Sequence, residues 1–505
     1  MNELLILDLE NNNNYKAVNK NILFINRGKI KLQNCKILNL NINNANFKNY
    51  FIKDFTYFLN KLKKDLNKNL RFINSQETEF FNLRNDRIGY YEKLCTLFFI
   101  SKYYKKKKNK KIITDNPKLF KIYKQLFKTN TEIQLIEKNI KIQKFQITFH
   151  FIKFLIKSIY FVLLSKIFLK NKKYNKDNKI FLSIYPYFFD KKNNIRLYNQ
   201  KEILKLNFSI TDETHLNLKK SNYINHIFKL KKINNLLSVE NYISFFDYIK
   251  IITKFIIDHR SFQRYIHNKS FKFKNIDIRD ILIDHLNNSF LNRFKLMIYE
   301  SAIKRIVIKF NFKEIHYFLF EYCFGFFLSN LLKNNFLAPK INRIGYQHGI
   351  FTNKLMWLDI LNLDSSKKNF LPDKIVSNEK SSVTSYKKYL KNVTLQQNLR
   401  KIKIPKIDQN SNNILVFTGQ HDLLDCYNFF TYNKDFQFKK IFIKLHPNNK
   451  IKILSKFSNI FIIKNYDNKK KYKIFISQTS TLVYYFKKMK YNFRLMKFNY
   501  KFDLF

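Results

Sequence analysis

The stretch RIGYQHGIFTNKLMW, Arg343–Trp357, decides the predicted fold of this chain. Within it, Ile344–Tyr346 is a short apolar run typical of a buried strand, and Gln347-His348-Gly349 follows directly. The chain holds only six Gly among 505 residues, so a Gly beside a His just past a strand is an informative placement. Open α/β sheets bind ligands where strands end in such turns. We therefore expect a ligand site at this strand end.

Short apolar runs alternate with helical stretches on both sides of Arg343–Trp357. Such alternation predicts parallel sheets with helices on both faces. We expect an α/β protein with two Rossmann-like lobes facing a cleft and an N-terminal accessory region. The expected domains are residues 1–70 (accessory strands or the first unit of the front lobe), 71–409 (acceptor lobe) and 410–505 (nucleotide-donor lobe). The last domain has strands expected at Ile414–Phe417, Lys440–Leu445, Asn459–Ile463, Lys473–Ile476 and Phe493–Lys497.

Three strand ends in the last domain carry residues suited to binding phosphate. They are Thr418-Gly419-Gln420, Lys444-Leu445-His446-Pro447 and Ser477-Gln478-Thr479-Ser480-Thr481. In the third, hydroxyls and the free N–H groups of a following helix would face one point, a geometry that binds anions. A simple helix cap by Thr479 or Ser480 is the alternative. For Lys444 and His446 the alternative is an ordinary basic strand end.

Two of the ten His residues directly follow predicted strands, His348 in the front lobe and His446 in the back lobe. We expect His446 to bind phosphate and His348 to act as a general base. Glu321, after the predicted strand Ile315–Phe320, would orient His348 or bind the acceptor; an acid at a helix N-terminus is the alternative. Most of the remaining His residues lack metal-ligand spacing. No metal is expected, because Lys, His and helix-end N–H groups can hold phosphates, and no cofactor is expected.

The four Cys residues are far apart and form no C-x-x-C pair, which argues against a zinc site and a disulfide framework. The start of the chain, Met1–Glu10, carries acids instead of a basic region, so we expect no signal peptide. A reducing, cytoplasmic setting is the expectation that follows.

Basic residues far outnumber acidic residues in the chain. Lys and Arg number 95 against 36 Asp and Glu, a formal net charge of +59. Nucleic acid or an anionic membrane would suit that charge, but adenine- and thymine-rich codons also favour Lys, Asn and Ile. The Lys residues are spread along nearly the whole chain without a nucleic-acid-binding signature, so no nucleic acid is expected as partner.

The most apolar stretch is Ile147–Leu169, long enough to span a bilayer. Lys153, Lys157 and Lys166 interrupt it, which makes spanning costly. We expect an amphipathic helix that is either buried or lies on a membrane surface. In the second case the chain would attach to the anionic inner face of the cytoplasmic membrane.

Several segments resemble, in their order, the GT-B-fold transferases of bacterial surface polysaccharides, such as CMP-Kdo, CMP-sialate and CDP-glycerol transferases. The segments are RIGYQHG, LPDKIVSNE, ILVFTG, IKLHPNN and IFISQTSTLVYYF. The resemblance covers about residues 315–497. It implies that the HP segment and the S-x-x-S-T turn hold nucleotide phosphates, while Gln347, His348 and Gly349 act in the front lobe.

From this resemblance we expect a metal-independent glycosyltransferase that uses a nucleotide-activated sugar, with a CMP-sugar as the favoured donor. Its acceptor would be a surface polysaccharide or a lipid-linked glycan. Two alternatives stay open from the sequence. One is a CDP-glycerol-type polyol-phosphate transferase, and the other is a non-catalytic basic protein that binds nucleic acid or membrane.

Overall fold

A computed structural model gives the fold of the chain in segments. It describes residues 4–9, 16–18, 21–27, 31–33, 36–37, 53–55, 57–58, 60–62, 94, 97, 110–127, 131–136, 140–169, 179–184, 189, 194–195, 203–209, 223–273, 276–319, 324–333, 341–347, 371–378, 380–396, 404–419, 423–431, 433–445, 458–463, 465–477, 480 and 482–496.

Short strands recur along the whole chain. They are β1 Leu4–Leu9, β2 Lys16–Val18, β3 Asn21–Arg27, β4 Lys31–Gln33, β5 Lys36–Ile37, β6 Lys110–Thr114, β7 Thr131–Leu135, β8 Lys179–Ser183, β9 Leu204–Asn207, β10 Leu236–Ser238, β11 Lys272–Phe273, β12 Ile276–Asp277, β13 Glu314–Leu319, β14 Asn342–Gln347, β15 Lys374–Ser377, β16 Val393–Leu395, β17 Lys406–Ile407, β18 Asn413–Phe417, β19 Lys440–Lys444, β20 Ile460–Ile463, β21 Lys471–Ser477 and β22 Arg494–Met496.

Helices connect many of these strands. They are α1 Pro117–Leu126, α2 Ile140–Leu169, α3 Tyr223–Lys231, α4 Phe245–Asn268, α5 Arg279–Asn288, α6 Phe290–Phe310, α7 Phe324–Lys333, α8 Lys380–Lys387, α9 Leu423–Thr431 and α10 Leu482–Lys488. Two 3-10 turns, Val239–Tyr242 and Lys434–Phe436, add to them. The predicted α/β class is confirmed.

Most of the described strands belong to three parallel sheets of similar design. Their strand orders are β5-β3-β1-β6-β7, β10-β9-β8-β13-β14-β15-β16 and β17-β21-β18-β19-β20, with β22 also paired to β21. In the first sheet β1 lies between β3 and β6, in the second β8 lies between β9 and β13, and in the third β18 lies between β19 and β21. This order is that of a doubly wound, Rossmann-like sheet, whose direction of winding reverses beside β1, β8 and β18 respectively.

Apolar runs explain the strands, because a parallel sheet is covered on both faces and its strands read as nearly continuous apolar sequence. The predicted strand at Ile344–Tyr346 is confirmed within β14, and all five strands predicted for the last domain are found, with ends that differ by at most a few residues. In β18, Ile414 and Val416 face α9, while Leu415 and Phe417 face α10.

The described residues form two compact units. Unit 1 comprises residues 1–48, 94–138 and 401–505, and unit 2 comprises residues 49–93 and 139–400. Unit 1 therefore contains the first and last of the three sheets, and unit 2 contains the seven-stranded sheet. This grouping differs from the three continuous ranges expected from the sequence, since the N-terminal strands join β6 and β7 in one sheet. The two-lobed arrangement around a cleft stays a prediction.

Helix α2 includes the predicted amphipathic helix and begins seven residues earlier, at Ile140. Its inner face packs through Phe151 and Phe154 against Phe294 of α6, with ring centroids 5.0 and 6.2 Å apart. Among the described helices, none combines the length and the apolar character needed to cross a membrane.

Gly345 lets β13 and β14 pack closely at the centre of the seven-stranded sheet. A Cβ at this position would stand 2.7 Å from Leu319 Cγ and 3.1 Å from Pro372 Cγ. Leu319 is buried and part of the unit 2 core, so its side chain has little room to move away. The glycine is required here by the close approach of a neighbouring side chain.

We expect Gly345→Ala to lower the stability of unit 2 by roughly 1–3 kcal/mol, because the added methyl overpacks the core. The midpoint of urea unfolding measures the effect. The matched control is the same change in a Leu319→Ala background, where the methyl has space and the loss should disappear. An equal loss in both backgrounds would contradict the role given to Leu319.

Candidate site at the carboxyl edge of the C-terminal sheet

Four neighbouring strands of the C-terminal sheet end along one edge. In register across the sheet, Ile463 of β20 pairs with Lys444 of β19, Lys444 with Phe417 of β18, and Phe417 with Ile476 of β21. The winding of the sheet reverses between β18 and β21. Ligands of open α/β sheets bind outside the carboxyl ends of the strands at this reversal.

Thr418 and Gly419 follow β18 at the reversal. The Thr418 hydroxyl donates to the carbonyl of Lys444 over 3.2 Å, and its backbone N–H donates to the same oxygen. Gly419 is buried and continues the chain from this anchored position. The contacts tie the ends of β18 and β19 together, so the predicted residues Gly419 and Lys444 lie at the same corner of the sheet.

The side chain of Lys444 is half-buried on the face of the sheet that α10 covers. Its ammonium lies 5.8 Å from the ring centroid of Phe417 and 5.0 Å from that of Tyr466. Burial lowers the pKa of Lys444 from the ordinary lysine value. Across the part of the chain that the structure describes, Lys444 has no ion-pair partner, so its charge is balanced only by the faces of two aromatic rings.

Ser477 and Ser480 lie on the other side of the reversal. Ser477 is fully buried, and its carbonyl accepts a hydrogen bond from the Ser480 N–H over 2.9 Å. The Ser480 hydroxyl accepts from the Leu482 N–H over 3.4 Å, at the first residue of α10. Ser480 thus makes the local helix-start contact that the sequence left open as the alternative to anion binding.

Nine predicted site residues lie outside the residues that the structure describes. They are Glu321, His348, Gly349, Gln420, His446, Pro447, Gln478, Thr479 and Thr481. The roles of His348 and Glu321 in catalysis, and of His446 in phosphate binding, therefore stay predictions.

Gln347 is the predicted site residue at the end of β14, and its amide contacts neighbouring parts of unit 2. Its Oε1 accepts from the Ser377 hydroxyl over 2.6 Å and from the Asn378 N–H over 3.2 Å. Its Nε2 donates to the Ser382 hydroxyl over 3.0 Å. With only 2% of Gln347 exposed, the amide fastens β14 to β15 and α8.

Arg343, at the other end of β14, is held by Asp373 just before β15. Its Nε and one terminal nitrogen donate to the two carboxylate oxygens over 2.8 and 2.7 Å, and a second terminal nitrogen donates to the Ser329 carbonyl. Burial alone raises the pKa of Asp373, but the hydrogen bonds from Arg343 outweigh it and hold the pKa below the usual 3.8. Both ends of the organising strand are thus fixed by polar contacts.

Two buried or half-buried polar groups were missed by the sequence reasoning. Tyr466 follows β20 and lies against Lys444, and no motif marked it. Glu240 follows β10 and is fully buried, accepting from the Ser209 N–H over 2.7 Å and the Tyr299 hydroxyl over 3.0 Å. The sequence analysis predicted no strand at Leu236–Ser238; an acid two residues past that short apolar run is the signal that could have found Glu240.

Comparison with known proteins gives one similarity and corrects the expected function. The chain is 26% identical over 523 residues to Protein Ycf2 of Physcomitrium patens, an alignment that covers 91% of this chain and 22% of the relative. No family model matches the chain, and no solved structure matches it. The expected function, glycosyl transfer to surface polysaccharide, is therefore wrong, because the similar protein is Protein Ycf2 and not a glycosyltransferase.

We expect Asp373→Asn to leave the buried Arg343 guanidinium without a counter-charge and to lower the free energy of unfolding of unit 2 by roughly 1–2 kcal/mol, since solvent screens the exposed Asp373 side of the pair. Because the folded pKa of Asp373 lies below its unfolded value, its stabilisation is present above about pH 4 and is lost as pH falls through the folded pKa. Urea unfolding followed from neutral to acidic pH should show this loss in the parent chain and a smaller one in the variant.

The matched control replaces both partners, as Arg343→Met with Asp373→Leu. Since apolar residues of similar size leave no buried charge behind, this double variant should be close to the parent in stability at neutral pH. A double variant as unstable as Asp373→Asn would show that packing, and not the buried charge, causes the loss.

Proposed function

We propose that the C-terminal sheet binds a phosphate-bearing small molecule, with the Lys444 ammonium as its principal charged contact. The observation that carries this proposal is the half-buried ammonium at the carboxyl edge, which has no ion-pair partner in the described residues. A cation that is partly withdrawn from water gains a strong, charge-assisted hydrogen bond when an anion binds. The proposed function is ligand binding and not glycosyl transfer.

The strand order supports a nucleotide as the first ligand class to test. The strands β18 to β21 have the order found around the reversal of a Rossmann fold, where nucleotides bind in the crevice between the first and fourth strands. Thr418 and Gly419 on one side and Ser477 on the other border that position. Lys444 lies one strand away from the reversal, at the end of β19, and in this proposal its ammonium contacts a phosphate of the ligand.

Aromatic neighbours explain why Lys444 remains suited to anions. The rings of Phe417 and Tyr466 lie 5.8 and 5.0 Å from its ammonium and keep water from part of its surroundings. Because burial lowers its pKa, the ammonium is destabilised in the free protein and an anion would relieve that cost. Affinity should therefore fall as pH rises through the pKa of free Lys444, at a lower pH than for an ordinary lysine.

Isothermal titration of the full chain with CMP, CDP, UDP, GDP and pyrophosphate tests the proposal. We expect at least one ligand to bind, and Lys444→Met to weaken it roughly 10–100-fold, the loss for one hydrogen bond to a charged group. The matched control is Lys440→Met, at the exposed amino end of the same strand, which should bind as the parent does.

The thermal stability of Lys444→Met separates a lost contact from a damaged fold. Methionine keeps the apolar contact with both rings and removes a charge that is costly to bury, so its melting temperature should equal or exceed that of the parent. The proposal fails if none of the five ligands binds, or if a folded Lys444→Met variant binds with the parent's affinity.

A further inference from the structure

Helix α2 carries a continuous apolar stripe on its outer face. Six large apolar side chains are exposed there, between 45% at Tyr160 and 70% at Ile167. The six are Phe149, Ile152, Ile156, Tyr160, Leu163 and Ile167. Surface residues of this kind are ordinary when scattered, but an aligned row of six indicates a surface that meets another apolar phase.

The opposite face of α2 is already packed, which fixes the direction in which the stripe points. Ser158 is hydrogen bonded to the Tyr248 hydroxyl over 2.5 Å, and the Ser165 hydroxyl donates to Asn241 over 2.7 Å. Phe161 packs against Tyr223 of α3 with ring centroids 6.0 Å apart. These contacts hold the helix in one orientation, so rotation of α2 would expose this packed face instead.

The spacing of the stripe aligns its six side chains along one side of a straight helix. The six residues divide the interval from Phe149 to Ile167 into steps of three or four that average the 3.6-residue period of a straight helix. On such a helix they lie within an arc of about 80°, along a length of about 27 Å.

Lysines border the stripe on both flanks. Lys153 and Lys157 lie on one side of it and Lys166 on the other, each half-buried. No Asp or Glu occurs anywhere in Ile140–Leu169. Lysine stems can lie along an apolar surface while the ammonium reaches the water boundary, so this arrangement suits anionic headgroups around an apolar interior.

Helix α3 extends the apolar surface. Its exposed Phe228 packs against Phe168 of α2 with ring centroids 5.4 Å apart, and Ile224 is exposed one turn earlier. Lys229, Lys231 and Lys232 follow, all exposed. We call the α2 stripe together with Ile224 and Phe228 the lipid face. On both helices its exposed apolar side chains are bordered by lysines.

We propose that the lipid face docks the chain on the surface of a bilayer that contains anionic lipid, with α2 lying parallel to the membrane plane. The apolar side chains enter the boundary between headgroups and acyl chains, and the flanking lysines contact the headgroup phosphates and carboxylates. This attachment involves unit 2 and is independent of the ligand proposed for Lys444.

Sedimentation of the full chain with vesicles tests the proposal, using phosphatidylcholine alone and phosphatidylcholine mixed with phosphatidylserine. We expect binding to the mixed vesicles at low salt, and Ile156→Gln with Leu163→Gln to weaken it at least about tenfold, since each buried apolar side chain adds to the affinity. Glutamine is a good helix former, so α2 should be retained.

The matched control is Ile257→Gln with Ile308→Gln, two isoleucines exposed to a similar degree on α4 and α6. This variant should bind the mixed vesicles as the parent does. Equal losses in the two double variants, or no binding of the parent to the mixed vesicles, would overturn the proposal.

A lysine variant tests the charge. Replacing Lys153, Lys157 and Lys166 with Gln should reduce binding to the mixed vesicles and bring it close to binding on phosphatidylcholine alone. An unchanged preference for phosphatidylserine would overturn the part assigned to these lysines.

Sedimentation velocity distinguishes lipid from a second copy of the chain. If the parent chain self-associates at all, the Ile156→Gln with Leu163→Gln variant should self-associate to the same extent. If the variant abolishes self-association, the lipid face is a dimer interface and membrane docking is overturned. In addition, the tryptophan fluorescence of a Tyr160→Trp variant should shift to shorter wavelength when mixed vesicles are added, and the shift should exceed that of the parent.

Discussion

The burial of both faces of each parallel sheet is the constraint on which this structure depends. Strands such as Leu4–Leu9 and Asn413–Phe417 are apolar at nearly every position because helices or other strands lie on either side of them. Polar residues are therefore concentrated where strands end. Lys444, Gln347 and Glu240 all lie at or just past such ends, and their surroundings decide which of them can meet a ligand.

Polar groups inside the sheets are tolerated because their hydrogen bonds are satisfied. The Gln347 amide and the Glu240 carboxylate each contact several donors or acceptors, and Arg343 is matched by a carboxylate in bidentate geometry. Such groups fix the structure and are poorly placed to bind anything else. Lys444 differs because the described contacts of its ammonium are with two aromatic rings and not with a carboxylate. It is therefore the better candidate for ligand binding.

Local sequence predicted the strands well because apolar periodicity is a local property. Ile344–Tyr346 and the last five strands followed from it, as did the position of Lys444 at a strand end. The sharing of unit 1 between both ends of the chain was not predictable, because it depends on which sheets pack together. The role of Gln347 was hidden for the same reason: its partners Ser377 and Ser382 are at least 30 residues away along the chain. Motif order alone led to the wrong function, since doubly wound sheets place similar residues at their strand ends whatever they bind.

The interrupted course of unit 1 has a consequence for synthesis on the ribosome. Strand β18 is made roughly 400 residues after β1, yet both belong to the same compact unit. At usual elongation rates of about 5–20 residues per second, that interval lasts on the order of 20–80 s. Unit 2 is translated almost entirely within it and can fold while the N-terminal sheet still lacks its C-terminal neighbour. Throughout that interval the apolar surface that the N-terminal sheet contributes to unit 1 lacks its later partner, and such exposed surface favours non-native contacts.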